Sequence, residues 1–126
     1  IDVEGGRTTI TPLATNLFAS GSARIDDGQR DTIRRIADAI RQVPGRVLVK
    51  GHTDDQPIHS LRFRDNFDLS RARAVSVVDA LAQVVGDASR MESVGVGSNE
   101  PKFRPESDPD NRARNRRVEI IHVQDA

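Results

Sequence analysis

Val47-Leu48-Val49-Lys50-Gly51-His52-Thr53-Asp54-Asp55 is the stretch on which the reading of this chain turns. Val47 to Val49 is a short apolar run bounded by Gly45 and Gly51, the pattern of a buried central strand. It delivers the chain directly into a polar cluster, so acidic groups stand at the carboxyl end of a strand. Upstream, Ile33, Ile36, Ala37 and Ile40 recur at i, i+3, i+4 and i+7, which predicts an amphipathic helix. Asp26 or Asp27 is its expected cap and Pro44-Gly45 its stop. Downstream, a polar loop runs to Phe67. A second helix is expected to start near Asp68 or Ser70 and to run through Ala74, Val78, Leu81 and Val85 to Gly86.

The flanks complete the pattern. Arg7 to Thr11 is β-branched and stops at Pro12, a first strand; Met91 to Gly97 is another, with Val94 and Val96 on one face; Arg117 to Val123 is the last. Leu17 to Arg24 reads as loop. Ser98 to Asn111 carries Pro101, Pro105 and Pro109, a connection of the length that is usually functional or mobile. The order β, α, β, α, β, loop, β predicts an α/β chain, an α+β two-layer sandwich with a mixed four-stranded sheet and two main helices on one face. One domain over residues 1–126 is expected, with 1–16 a leading segment.

Composition narrows the chemistry. With four Phe, one Met and no Trp or Tyr, the core must be aliphatic. Nineteen basic residues balance nineteen acidic ones, so no global field favours nucleic acid. Lys50 and Lys102 are the only lysines; the remaining bases are arginines, suited to two-pronged contacts with carboxylates. The absence of cysteine excludes disulfides and thiolate metal sites. No apolar run approaches the ~20 residues that span a bilayer. Ile1 in place of Met marks an excised or processed piece, so an anchor upstream stays open.

Several clusters invite a chemical reading. His52, Asp54, Asp55 and His59 hint at a metal hydrolase, but His122 is far off and no second ligand block appears. Neither Ser60 nor Ser70 sits in a nucleophile-elbow motif. Arg112, Arg114, Arg116 and Arg117 suggest phosphate, yet Glu106, Asp108 and Asp110 precede them and point to a neutralised surface. Asp54 and Arg73, taken alone, read as well as a salt bridge closing a loop. Asn66 and Ser70 read as a turn former and a helix cap.

Three blocks change the weighting. Val49 to Asp54 (VKGHTD), Asn66 to Ala74 (NFDLSRARA) and Asn115 to Glu119 (NRRVE) are similar to the signature blocks of OmpA-like peptidoglycan-binding domains in order and spacing, and Gly95-Val96-Gly97 and Pro101 also fit. Within that family, the longer loop Gln56 to Phe63 and the pattern Leu61-Arg62-Phe63 with Asn66, Leu69, Ser70, Ala72, Arg73 and Ala74 look most like the periplasmic extension of TssL in type VI secretion. The flagellar stator MotB is the other subgroup it resembles.

The resemblance implies non-covalent binding of peptidoglycan at the diaminopimelate of its stem peptide, anchoring an inner-membrane secretion complex from the periplasm. It implies no catalysis, no cofactor and no metal. Asp54 would accept the ligand ammonium and Arg73 would hold the carboxylate. Free backbone N–H groups at Leu69 and Ser70 would add donors, Asn66 would orient the loop or the ligand, Arg116 would flank the pocket, and Thr53 would assist. Partners implied are peptidoglycan and inner-membrane secretion-complex subunits, with no nucleic acid; a homodimer stays open. An interaction module without wall binding, or a stator anchor, remains the alternative.

Overall fold

The computed structural model describes residues 1–58 and 60–125. Five strands form one mixed sheet: β1 (Asp2–Glu4), β2 (Arg7–Ile10), β3 (Gly45–His52), β4 (Met91–Gly97) and β5 (Arg117–Gln124), in the order β1-β2-β5-β3-β4. Only β3 and β4 pair in parallel; the other neighbours are antiparallel. β5, last in sequence, is thus inserted between β2 and β3, so chain segments 65 residues apart end up side by side, as in His52 opposite Arg117.

The expected four strands are all present, and β1 is a fifth. It was missed because three residues carry no periodicity. The signal that marks it is Gly5-Gly6, whose φ values of 53° and 82° supply the hairpin turn that β-branched residues resist.

Helices α2 (Arg30–Gln42) and α3 (Asn66–Val85) cover one face. Ile33, Ala37 and Ile40 from the first, and Ala74, Val77 and Leu81 from the second, are buried against Val47, Val49, Val118 and Ile120. The core is aliphatic, as composition required. Two short helices go beyond the expectation, α1 (Ala14–Leu17) at the end of the leading segment and α4 (Pro109–Asn115) overlapping the end of the proline-rich connection; each is too short for a helical period to register. Among the described residues no helix is long and apolar enough to cross a membrane.

Helix starts differ from expectation. Asp26 makes no cap, and Asp27 opens a 3-10 turn ahead of α2, accepting from Arg30 Nε at 3.1 Å. The cap of α3 is Asp65, whose Oδ1 accepts from Asp68 N at 2.9 Å. Ser70 is no cap: it is fully buried, donates to the Phe67 carbonyl and accepts from Gly97 N, each at 3.0 Å. It ties α3 to the end of β4.

That tie rests on missing side chains. A Cβ on Gly51 would lie 2.1 Å from the Ser70 carbonyl oxygen, and one on Gly95 would lie 2.4 Å from Arg71 N. Two glycines therefore let α3 sit directly on the sheet. Gly51→Ala should lower the unfolding free energy by about 1–3 kcal/mol in urea titration; an unchanged midpoint would contradict this close approach.

Candidate functional site

The carboxyl end of β3 and the start of β5 converge below the first turns of α3. Asp54, two residues beyond β3, is buried at 8% exposure. Its Oδ1 accepts from Gln56 N at 3.0 Å, and its Oδ2 accepts from Arg116 Nη1 at 2.5 Å. Asp54 and Arg73 do not pair; the salt-bridge reading of that couple is replaced by Asp54 with Arg116. The reason is topological. β5 lies beside β3 and puts Arg116 next to the Asp54 turn, whereas Arg73 is two turns along α3.

Arg73 is buried at 5% exposure. Its Nε donates to the Ser22 carbonyl at 2.8 Å, and its guanidinium lies 4.9 Å from the centre of the Phe18 ring. Among the described residues it meets no carboxylate within salt-bridge distance. Burial, and then the nearby charge of Arg116, push its pKa down to about 10, so it stays cationic at neutral pH.

Asp54, Leu69, Arg73 and Arg116 line one cleft of about 760 Å³, together with Phe18 and Gln56. That volume suits a small ligand or one residue of a polymer. Its far wall is α1 and the segment after it. Sequence reasoning had no means to find this wall, because α1 is held in place by a remote contact, Ala14 N to the Arg116 carbonyl at 2.7 Å.

The remaining expected residues have other positions. Thr53 and Asn66 do not line the cleft; they brace its floor. Thr53 N donates to the Gly97 carbonyl at 2.9 Å, and its hydroxyl to the Asp54 carbonyl at 2.8 Å. Asn66 Nδ2 donates to the Gln56 carbonyl at 3.0 Å, fixing the turn. Leu69 contributes its side chain only. Because α3 begins at Asn66, the Leu69 N–H already donates to the Asp65 carbonyl at 3.2 Å and is not free. Asn115, buried, accepts from Lys102 N and Phe103 N at 3.0 and 2.9 Å and so pins the preceding loop beside Arg116.

The metal-ligand cluster does not assemble among the described residues; His59 lies outside them. His52 faces the other side of the sheet from Gly51, where its Nε2 lies 2.5 Å from Glu119 Oε1, though off the ring N–H axis. Arg117 also turns that way, with Nη2 donating to the Glu100 carbonyl at 3.1 Å.

The class defined here is a two-layer α/β domain with a charged cleft at one sheet edge. The model of the OmpA family matches residues 17–116, and the chain belongs to that family. A solved structure described as the cell wall anchor of the type VI secretion system from Pseudomonas aeruginosa is 44% identical, with a TM-score of 0.90, covering 94% of this chain and 82% of that one. Motility protein B of Helicobacter pylori is 36% identical over 122 residues, 94% of this chain and 47% of the relative. The peptidoglycan-binding protein ArfA of Mycobacterium tuberculosis is 34% identical over 125 residues, 95% and 35%. The chain spans about half or less of these two curated relatives.

The His52 contact, with Arg117 and Lys50 adding to it, holds Glu119 below the usual carboxylate range. A depressed folded-state pKa stabilises the fold above the unfolded value of about 4.3, and the contribution is lost as pH falls from there through the lower folded value. Glu119→Gln should therefore flatten that limb of the stability–pH profile in thermal melts. A variant profile parallel to wild type would remove Glu119 from this role.

Proposed function

We propose that this domain holds peptidoglycan non-covalently and so anchors a membrane complex to the cell wall, with no turnover. The observation that carries the reading is the Arg73 guanidinium, which meets no carboxylate among the described residues and lines a cleft beside the Asp54–Arg116 pair. Similarity to a wall anchor and to a peptidoglycan-binding protein supports the same ligand.

The ligand is the diaminopimelate end of a stem peptide, which carries an ammonium and a carboxylate on one carbon. Arg73 has Nε committed to Ser22, which leaves its two terminal nitrogens to grip the carboxylate end-on. Asp54 offers the ammonium its remaining lone pairs, sharing its charge with Arg116. Both groups are held before the ligand arrives, so little ordering entropy is lost on binding.

The complex served is a type VI secretion complex, with the domain on the periplasmic side of an inner-membrane anchor. The 44% identity to the secretion-system anchor, against 36% to motility protein B, favours this over a flagellar stator.

Sedimentation with purified sacculi tests the reading. Wild type should pellet and Arg73→Glu, checked for folding by circular dichroism, should bind at least about tenfold more weakly. Equal pelleting would displace Arg73 from the site. A wild type left in the supernatant would favour an interaction module without wall binding, and muropeptides released from the sacculi would make it an enzyme.

A further inference from the structure

The far wall of the cleft is held from two sides. α1 hangs from the Arg116 carbonyl, whereas the loop after it, Phe18 to Ile25, is held from α3. The stem of this loop is firm, because Phe18 and Ile25 are buried and face each other across an antiparallel bridge. Its tip does not support itself. Ala19, Ser20, Gly21, Ser22 and Ala23 bring no side chain large enough to anchor it by packing, and the first three line the cleft.

Two donors one turn apart on α3 reach that tip. Arg73 Nε donates to the Ser22 carbonyl at 2.8 Å, and Ser76 Oγ donates to the next carbonyl, that of Ala23, at 2.5 Å. A serine inside a helix ordinarily bonds back to a carbonyl of its own preceding turn or faces water. Ser76 instead reaches across 53 positions of sequence. It is absent from the cleft lining and borders a separate hollow of about 380 Å³ with Ala23, Arg24 and Ile25. A molecule in the cleft therefore does not compete for its hydroxyl.

Resting on the peptidoglycan reading, we propose that Ser76 is a positioning residue for the cleft. Its hydroxyl pins the Ala23 carbonyl and so fixes the tip of the wall. Through the adjacent Ser22 carbonyl it keeps Arg73 Nε engaged and the guanidinium aimed. Removing that hydroxyl deletes no group from the cleft, yet the wall loosens and the ligand leaves sooner. Global stability responds differently. Alanine is a better helix former than serine, and the half-buried Ala23 carbonyl can turn to water, so Ser76→Ala leaves unfolding nearly unchanged.

Surface plasmon resonance with the 126-residue chain and a synthetic stem peptide ending in diaminopimelate tests this, beside urea titration and amide exchange. Ser76→Ala should raise Kd about three- to tenfold, mainly through faster dissociation, and speed exchange in residues 19–23 while the urea midpoint holds. Ser76→Thr keeps the donor and has the hollow for its methyl, so its Kd should return to within about twofold of wild type. Equal Kd values for wild type and Ser76→Ala, no recovery in Ser76→Thr, or an affinity loss matched by a fall in the urea midpoint would overturn the inference, while wild-type binding left the wall reading intact. A wild type that binds neither the peptide nor sacculi would overturn both.

Discussion

The ion pair between Asp54 and Arg116 is the constraint from which the rest of the site follows. It joins the exit of β3 to the entrance of β5, two neighbouring strands whose residues are 62 apart in sequence. Because Arg116 takes Asp54, Arg73 is left without a carboxylate partner among the described residues, and because α1 hangs from the Arg116 carbonyl, the far wall of the cleft is fixed by the same residue. One arginine therefore sets the floor charge, the position of the wall and the availability of the second arginine.

Such a pair is a poor device for stability alone. Desolvating two ions offsets much of their attraction, and aliphatic residues of similar volume often do as well. The surrounding investment is large: Gln56 N, Thr53 and Asn66 all hold the Asp54 turn, and Asn115 pins the loop before Arg116. Pre-arranged polar groups around a cleft are what a receptor requires, since every group ordered in advance is one that the ligand need not order on binding.

How much of this could be read from the sequence depends on the range of the interaction involved. The buried strand at Val47 to Val49 and the apolar stripe of α2 are local patterns, and they were legible. The three signature blocks placed Asp54, Arg73 and Arg116 near one another. Which of them pair is not a local property: it depends on β5 inserting beside β3, and no spacing in the chain encodes that. Asp65 as the α3 cap was legible, since Asp65 and Asp68 form a capping pattern three residues apart, and overlooking it shifted the helix start and left Leu69 with an N–H it does not have free. Phe18 was visible as one of four Phe, but its role under Arg73 follows only from a contact across 55 residues.

The preference for arginine noted in the composition gains its meaning at Arg73. A chain with no net charge has no long-range field to draw in a ligand, so selection must happen at contact. One guanidinium there performs three tasks at once: Nε donates to the Ser22 carbonyl, the cation lies over the Phe18 ring, and the two terminal nitrogens are left for the cleft. A lysine ammonium is a point charge with no face to stack and no fixed fork. It could supply the cation but not the orientation, and a fixed fork is what meets both oxygens of a carboxylate at once.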